Sequence, residues 1–281
     1  MTGRDAEATI AYPRFDEAGL KRNRRWAVPT ANLARVVMRL VTRIESTGGE
    51  QLRQGPFIIA PFHASKIDPL VIAMAMWKHG VIPHFLAKSS LFTGVLGHAL
   101  VRMGQIPVLR ASAKAGDSLQ HAKSALAAGQ TVIIYPQGTL TKDPELWPQP
   151  AKTGVARLAV ETGIPVIPVG HWGLDAVMPV HSSRITPRPF GTVRVHFGEP
   201  IAPPAPDAHG TASAHLARRF ADRVTAGIAQ EVAQLRGVAL PERFAADLTA
   251  WEETQPHTAD GAAQDTGEDA AHDARQDEET R

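Results

Sequence analysis

Short apolar runs alternate with segments of helical spacing between residues 57 and 197, and this alternation restricts the possible folds more than any other feature. Residues 131–135 form the clearest apolar run, and residues 57–60 form another. Short apolar runs bounded by turn residues are typical of buried strands. Strands that alternate with helices are typical of a sheet covered by helices on its faces. We therefore predict an α/β fold with a mixed, largely parallel sheet flanked by helices.

The boundaries follow from spacing, capping and turn residues. The predicted strands cover residues 57–60, 84–87, 106–109, 131–135, 166–169 and 192–197. The predicted helices cover residues 30–44, 68–79, 91–103, 116–128, 153–162 and 212–235. Asp68 followed by Pro69 is a favourable helix start, and Gly129 and Gly163 are favourable helix ends. Ligands bind such sheets at the loops beyond the strand ends, so we expect the site there.

The helix predicted at residues 30–44 carries an apolar stripe and a basic side. The stripe has the i, i+3, i+4 spacing of one helical face and consists of Leu33, Val36, Val37, Leu40, Val41 and Ile44. Arg35, Arg39 and Arg43 recur every four residues on the opposing side. A basic amphipathic helix can lie among lipid headgroups, and the nearby Trp26 also favours a membrane interface. We predict an N-terminal amphipathic helix at a membrane surface; the alternative is an ordinary helix packed on its own domain.

Charge is divided unevenly along the chain. The whole chain has a formal charge of +2, but residues 252–281 contain ten Asp and Glu against two Arg. The remaining body is therefore strongly basic, which indicates an anionic partner such as a membrane, a phosphorylated substrate or nucleic acid. The chain contains no recognised nucleic-acid motif, so we do not expect a nucleic-acid partner. The acidic tail is predicted to be disordered.

These patterns divide the chain into three parts. We expect a poorly ordered N-terminus at residues 1–25, one domain at residues 26–251 with its chemistry in residues 57–170, and a disordered acidic tail at residues 252–281. The absence of cysteine excludes disulfides and thiolate metal sites. With no apolar run of about 18 residues and no signal-peptide pattern, we expect a peripheral protein on the cytoplasmic face of the cell membrane.

His63 and Asp68 are the candidate catalytic residues. His63 follows a predicted buried strand, and Asp68 begins the next helix, so the carboxylate can fold back to the ring. Such a carboxylate fixes the imidazole tautomer while the other ring nitrogen accepts a proton. The spacing alone is not specific, because His272 and Asp277 repeat it in the acidic tail. Only the first pair lies at a strand-to-helix junction.

Two further loops follow predicted strands. Arg110 ends the apolar segment of residues 106–109. Residues 135–141 follow the clearest strand, where Pro136, Gly138 and Thr139 indicate a tight turn with exposed backbone N–H groups. Such a turn can bind a phosphate, although a plain turn is the alternative interpretation.

Together these loops resemble the 1-acylglycerol-3-phosphate acyltransferase family over residues 30–200. Its His-x4-Asp block matches His63 and Asp68, with Ser65 between them. The other matches are Gly104, Ile106, Val108 and Arg110; Pro136, Gly138 and Thr139; residues 164–169; and Lys152 with Gly154. Any one block is weak evidence, but four blocks in family order make a specific signal.

The resemblance implies a general base, an acyl donor and an acceptor. His63, oriented by Asp68, would deprotonate the free hydroxyl of a lysophospholipid, which then attacks the thioester of acyl-CoA or acyl carrier protein. No cofactor or metal is implied. The resemblance implies substrate-binding roles for Arg110, Gln137, Gly138, Thr139, Lys152 and Ser65. Of these, Arg110, the turn at Gly138 and Thr139, and Lys152 would hold the acceptor phosphate.

Departures from the family pattern leave the acceptor open. Gln137 replaces the usual Glu, and Leu140 replaces an Arg that often follows the Thr. We expect 1-acylglycerol-3-phosphate as acceptor, giving phosphatidic acid. One alternative keeps the chemistry on a different lyso-acceptor, such as a lysoglycolipid. Another is a lipid-binding protein that has lost catalysis.

Overall fold

Seven strands form one sheet in a computed structural model that describes residues 11–109 and 115–252. The strands are β1 (Thr42–Thr47), β2 (Ile58–Pro61), β3 (His84–Lys88), β4 (Ile106–Val108), β5 (Val132–Ile133), β6 (Val166–Trp172) and β7 (Arg188–Phe197). Their spatial order is β1-β7-β6-β2-β5-β3-β4. Neighbouring strands are parallel except β6 and β7, which are antiparallel.

Helices connect most of these strands and cover the sheet. They are α1 (Glu17–Val41), α2 (Asp68–Lys78), α3 (Gly94–Arg102), α4 (Ala115–Ala127), α5 (Gly154–Thr162), α6 (Ala214–Arg236) and α7 (Glu242–Glu252). The predicted α/β class with a mixed, largely parallel sheet is confirmed. The strand predicted at residues 131–135 is shorter than expected, and α7 was not predicted.

Two buried clusters lie on opposite faces of the sheet. In β2, Ile58 and Ala60 belong to the cluster formed with α5 and α6. Ile59, which lies between them, belongs to the cluster that contains the buried residues of α2. Successive side chains of a strand point to opposite faces, so one short apolar strand contributes to both clusters. This double burial explains why β2 has no polar residue.

The N-terminal prediction requires correction. We expected residues 1–25 to be poorly ordered, but α1 begins at Glu17, where the Asp16 carboxylate accepts a hydrogen bond from the backbone N–H of Gly19 at 2.8 Å. The helix was expected to reach residue 44, but Thr42–Thr47 is strand β1. Pairing with β7 decides this segment, because Ile44 fits either period and tertiary contact overrides local spacing. Residues 1–10 and 253–281, where disorder was predicted, lie outside the described residues.

The predicted stripe of α1 is largely exposed. Leu33, Val36 and Leu40 retain 67%, 57% and 69% of their accessible surface, and Val37 retains 48%. The helix packs on α2, α3 and β7, and its buried residues include Met38 rather than the stripe. None of the described helices is long and apolar enough to cross a membrane.

Truncation of Ile167 should destabilise the fold strongly. This side chain is fully buried in the central strand β6, next to Ile59 of β2. We expect Ile167→Ala to lower the free energy of unfolding by about 2–5 kcal/mol, because it leaves a cavity. The exposed Val36→Ala control should change it by less than about 0.5 kcal/mol. Urea unfolding of both variants measures the difference, and equal losses would contradict the assigned core.

Candidate active site

His63 and Asp68 lie where the chain leaves β2 and enters α2. The backbone N–H of Phe62 still donates to the carbonyl of Val169 in β6 at 2.8 Å, so sheet bonding continues to residue 62. Beyond it the chain turns, and Asp68 is the first residue of α2. The short loop between them brings the two side chains together, as the strand-to-helix position predicted.

The ring of His63 is hydrogen-bonded to the carboxylate of Asp68. His63 Nδ1 lies 3.0 Å from both Asp68 Oδ1 and Oδ2. An ionised carboxylate only accepts hydrogen bonds, so Nδ1–H is the donor. In a neutral imidazole the other nitrogen, Nε2, then carries a lone pair and can accept a proton. The His63 side chain is 19% exposed, whereas that of Asp68 is fully buried.

Several groups stabilise the charge of Asp68. Burial by itself would raise the pKa of this carboxyl, but the His171 and His63 rings outweigh burial and hold the pKa below its usual value. The backbone N–H groups of Ala64 and Ser65 also donate to Oδ2, at 2.9 and 3.0 Å. Asp68 is therefore ionised at neutral pH.

Two residues of this environment were not predicted as site residues. His171, in β6, places Nε2 3.4 Å from Asp68 Oδ2. Tyr135 follows β5, and its ring centroid lies 4.2 Å from that of His63. Burial, together with the charge of Asp68, raises the pKa of Tyr135, so the phenol stays protonated. The sequence contained no signal for His171, because the predicted strand ended at residue 169 and β6 continues to Trp172.

His63 lines a cavity of about 690 Å³. The apolar wall comes mainly from α1, α2 and β3 and includes Ala34, Leu70, Met74, Trp77, Phe85 and Leu86. Three lysines, Lys66, Lys88 and Lys152, also line it. A pocket with apolar walls and a few charged groups suits a ligand that has a long apolar part and an anionic group.

The turn after β5 brings Gly138 next to Lys152. Gly138 has φ +71°, and its N–H donates to the carbonyl of Tyr135 at 3.0 Å. A Cβ at this position would lie 3.4 Å from Lys152 Cε and Nζ, so glycine fits both the backbone and the lysine. Gly138 and Lys152 both line the cavity, in agreement with a binding site at this turn.

The other predicted binding residues are placed differently. Ser65 is buried, and its hydroxyl donates to the carbonyl of Met178 at 3.0 Å. Gln137 is also buried, and neither atom of its amide has a hydrogen-bond partner within the described residues. Neither these residues nor the exposed Thr139 belong to the described lining of the cavity. Arg110 lies outside the described residues.

Within residues 11–109 and 115–252, no group of three or more His, Asp or Glu side chains could hold a metal ion.

Known proteins similar to this chain were found by sequence and by structure. A family model described as "Acyltransferase" matches residues 43–172. The chloroplastic 1-acyl-sn-glycerol-3-phosphate acyltransferase BAT2 of Brassica napus is 34% identical to this chain over 119 residues. The chloroplastic 1-acyl-sn-glycerol-3-phosphate acyltransferase LPAT1 of Arabidopsis thaliana is 32% identical, also over 119 residues. These matches include 42% of this chain and about a third of each relative's length.

A solved structure shows the same fold. It is the 1-acyl-sn-glycerophosphate acyltransferase PlsC from Thermotoga maritima, with a TM-score of 0.56 and 22% sequence identity. The match covers 84% of this chain and 87% of the other. These findings agree with the resemblance that the ordered blocks indicated: residues 43–172 match the acyltransferase model, and the curated relatives that match are named 1-acyl-sn-glycerol-3-phosphate acyltransferases.

Proposed function

We propose that this protein transfers a fatty acyl group from acyl-CoA or acyl carrier protein to the free hydroxyl of 1-acylglycerol-3-phosphate, giving phosphatidic acid. The observation that carries the proposal is the hydrogen-bonded His63–Asp68 pair beside an apolar cavity that also contains lysines. The names of the relatives support the same acceptor, although the chain spans only about a third of their length.

The reaction proceeds by general-base catalysis. His63 Nε2 accepts the proton of the acceptor hydroxyl as its oxygen attacks the thioester carbonyl. The imidazolium formed on His63 is stabilised by Asp68 through Nδ1–H. When the tetrahedral intermediate collapses, the carbon–sulfur bond breaks and His63 donates the proton that it took from the hydroxyl to the leaving thiolate. The products are the acylated acceptor and the free thiol, and the enzyme is restored.

Removal of the His63 ring should lower the rate of turnover strongly. We expect His63→Ala to lower kcat by about 10²–10⁴-fold, the usual contribution of a positioned general base. His209→Ala is the matched control, because His209 is exposed and is not part of the described cavity lining. Release of free thiol from acyl-CoA in the presence of 1-acylglycerol-3-phosphate measures the rate. Full activity of His63→Ala would refute base catalysis by this residue.

Lysines support a phosphate-bearing acceptor. Lys66, Lys88 and Lys152 line the cavity with His63, and Lys152 lies against the glycine of the turn that was predicted to bind phosphate. A cation that contacts phosphate forms a charge-assisted hydrogen bond, which a neutral acceptor does not offer. A lysoglycolipid is the alternative, because Gln137 and Leu140 replace charged residues of the family pattern.

Lys152→Gln distinguishes these acceptors. If the acceptor phosphate contacts Lys152, the variant should raise KM for 1-acylglycerol-3-phosphate by about 10- to 100-fold. The KM for a neutral lysoglycolipid should not change. Lys78→Gln, an exposed lysine outside the described lining, is the control. An acceptor panel in which only the lysoglycolipid is consumed would replace the phosphate assignment, and tight lipid binding without any turnover would indicate a non-catalytic protein.

Membrane attachment, at the cytoplasmic face of the cell membrane, is part of the proposal. Ala27, Thr30, Ala31 and Ala34 of α1 line the cavity. Leu33, Val36, Val37 and Leu40 of the same helix are exposed to solvent. Insertion of these side chains among lipid headgroups would place the cavity beside its lipid substrates. The exposed Arg35 and Arg39 would attract anionic lipids.

Polar substitutions on α1 should weaken membrane binding. We expect the double variant Leu33→Ser, Leu40→Ser to bind vesicles that contain anionic lipid at least about tenfold more weakly, because each exposed leucine would bury apolar area in the lipid. Val238→Ser changes an exposed valine two residues beyond the end of α6 and should bind like the wild type. Vesicle sedimentation measures both. Undiminished binding of the double variant would show that another surface makes the contact.

A further inference from the structure

His171 is a buried histidine that the acyl-transfer steps do not use. It lies near the end of β6, where it pairs with Val195 of β7, and its side chain is 2% exposed. Alternate residues of a strand share a face, so His171 lies on the same face of β6 as Ile167 and Val169, which belong to the cluster on the α2 face of the sheet. The ring is therefore directed to the face from which Asp68 approaches.

The ring of His171 needs a hydrogen-bond acceptor. Neither Nδ1 nor Nε2 has a partner with good geometry among the described residues. A neutral imidazole carries at least one N–H, and leaving that group unpaired in a buried site is costly. The neighbouring carboxylate oxygen, Asp68 Oδ2, lies 3.4 Å from Nε2. This is only slightly longer than the usual range of about 2.7–3.2 Å.

We propose that His171 is a positioning residue, whose Nε2–H is directed at Asp68 and holds that carboxylate ionised and aligned with His63. This inference rests on the function proposed above. Asp68 then has a histidine on each side, and only His63 lines the cavity among the described residues. His171 acts on the reaction through Asp68 and does not contact the substrate.

The arrangement of donors explains why a second histidine is useful. The N–H groups of Ala64 and Ser65 restrain Oδ2 from the side of the loop, and His171 approaches the same oxygen from the sheet. The titratable groups that face Asp68 are His63, His171 and Tyr135. The phenol of Tyr135 is protonated and carries no charge, so the rings of His63 and His171, with the N–H groups of Ala64 and Ser65, stabilise the fully buried carboxylate.

Removal of His171 leaves the burial of Asp68 less opposed, so the pKa of that carboxyl is expected to rise. A carboxylate that is held less firmly in its ionised form stabilises the imidazolium of His63 less, so kcat falls.

Two variants of nearly equal shape separate hydrogen bonding from packing. Gln and Met have side chains of the same length, but only Gln has an N–H group to replace Nε2–H. We expect His171→Met to lower kcat about tenfold or more. KM should stay within about threefold, because His171 is absent from the described lining. His171→Gln should keep kcat within about threefold of the wild type.

The ring tautomer provides a test that does not require activity. Nitrogen-15 NMR of labelled histidine, assigned by the signals that His171→Gln and His63→Ala remove, should show His171 protonated at Nε2. A bare Nε2 with the proton on Nδ1 would overturn the proposal. So would equal loss of kcat in the Met and Gln variants, which would indicate packing alone.

Failure of the broader function would look different. If the wild-type protein acylates no acceptor, or if His63→Ala is fully active, the proposed reaction or its base is wrong. Protonation of His171 at Nε2 would still support the contact with Asp68 in that case. Conversely, an active wild type with an inactive His63→Ala variant and a fully active His171→Met variant would overturn only the role of His171.

Discussion

A fully buried carboxylate is the constraint on which the candidate site depends. Asp68 has no exposed surface, yet His63 and two backbone N–H groups require it as an acceptor. A buried charge without partners would be protonated or would destabilise the fold. The loop between β2 and α2 therefore has to close tightly around Asp68, and β6 has to bring His171 to the other side.

The parallel pairing of the central strands makes this possible. β2 is hydrogen-bonded to β5 on one side and to β6 on the other, and both neighbours run parallel to it. Parallel strands end at the same edge of the sheet, so His63 after β2, Tyr135 after β5 and His171 at the end of β6 converge. The antiparallel β7 lies beyond β6 and extends the sheet without contributing to this convergence.

Sequence reasoning worked where local and tertiary preferences agree. The apolar runs at residues 57–60 and 166–169 were predicted as strands and lie in or next to β2 and β6, because they are buried on both faces, although β6 continues to Trp172. The junction of β2 with α2 was predicted for the same reason and from Asp68–Pro69. The boundary between α1 and β1 was missed, since Ile44 fits a helical stripe and only the pairing with β7 makes it part of a strand.

Sequence alone determined the α/β alternation, the spacing of His63 and Asp68, and the order of the family blocks, because each depends on residues that are close along the chain. The tertiary structure decided which distant residues surround that pair. His171 lies more than a hundred positions after Asp68, and no local pattern links them. Their proximity depends on a parallel β2–β6 pairing, which is set by hydrogen bonds and burial across the whole sheet. The same holds for Ser65 and Gln137, whose burial could be seen only once the sheet and its loops were packed.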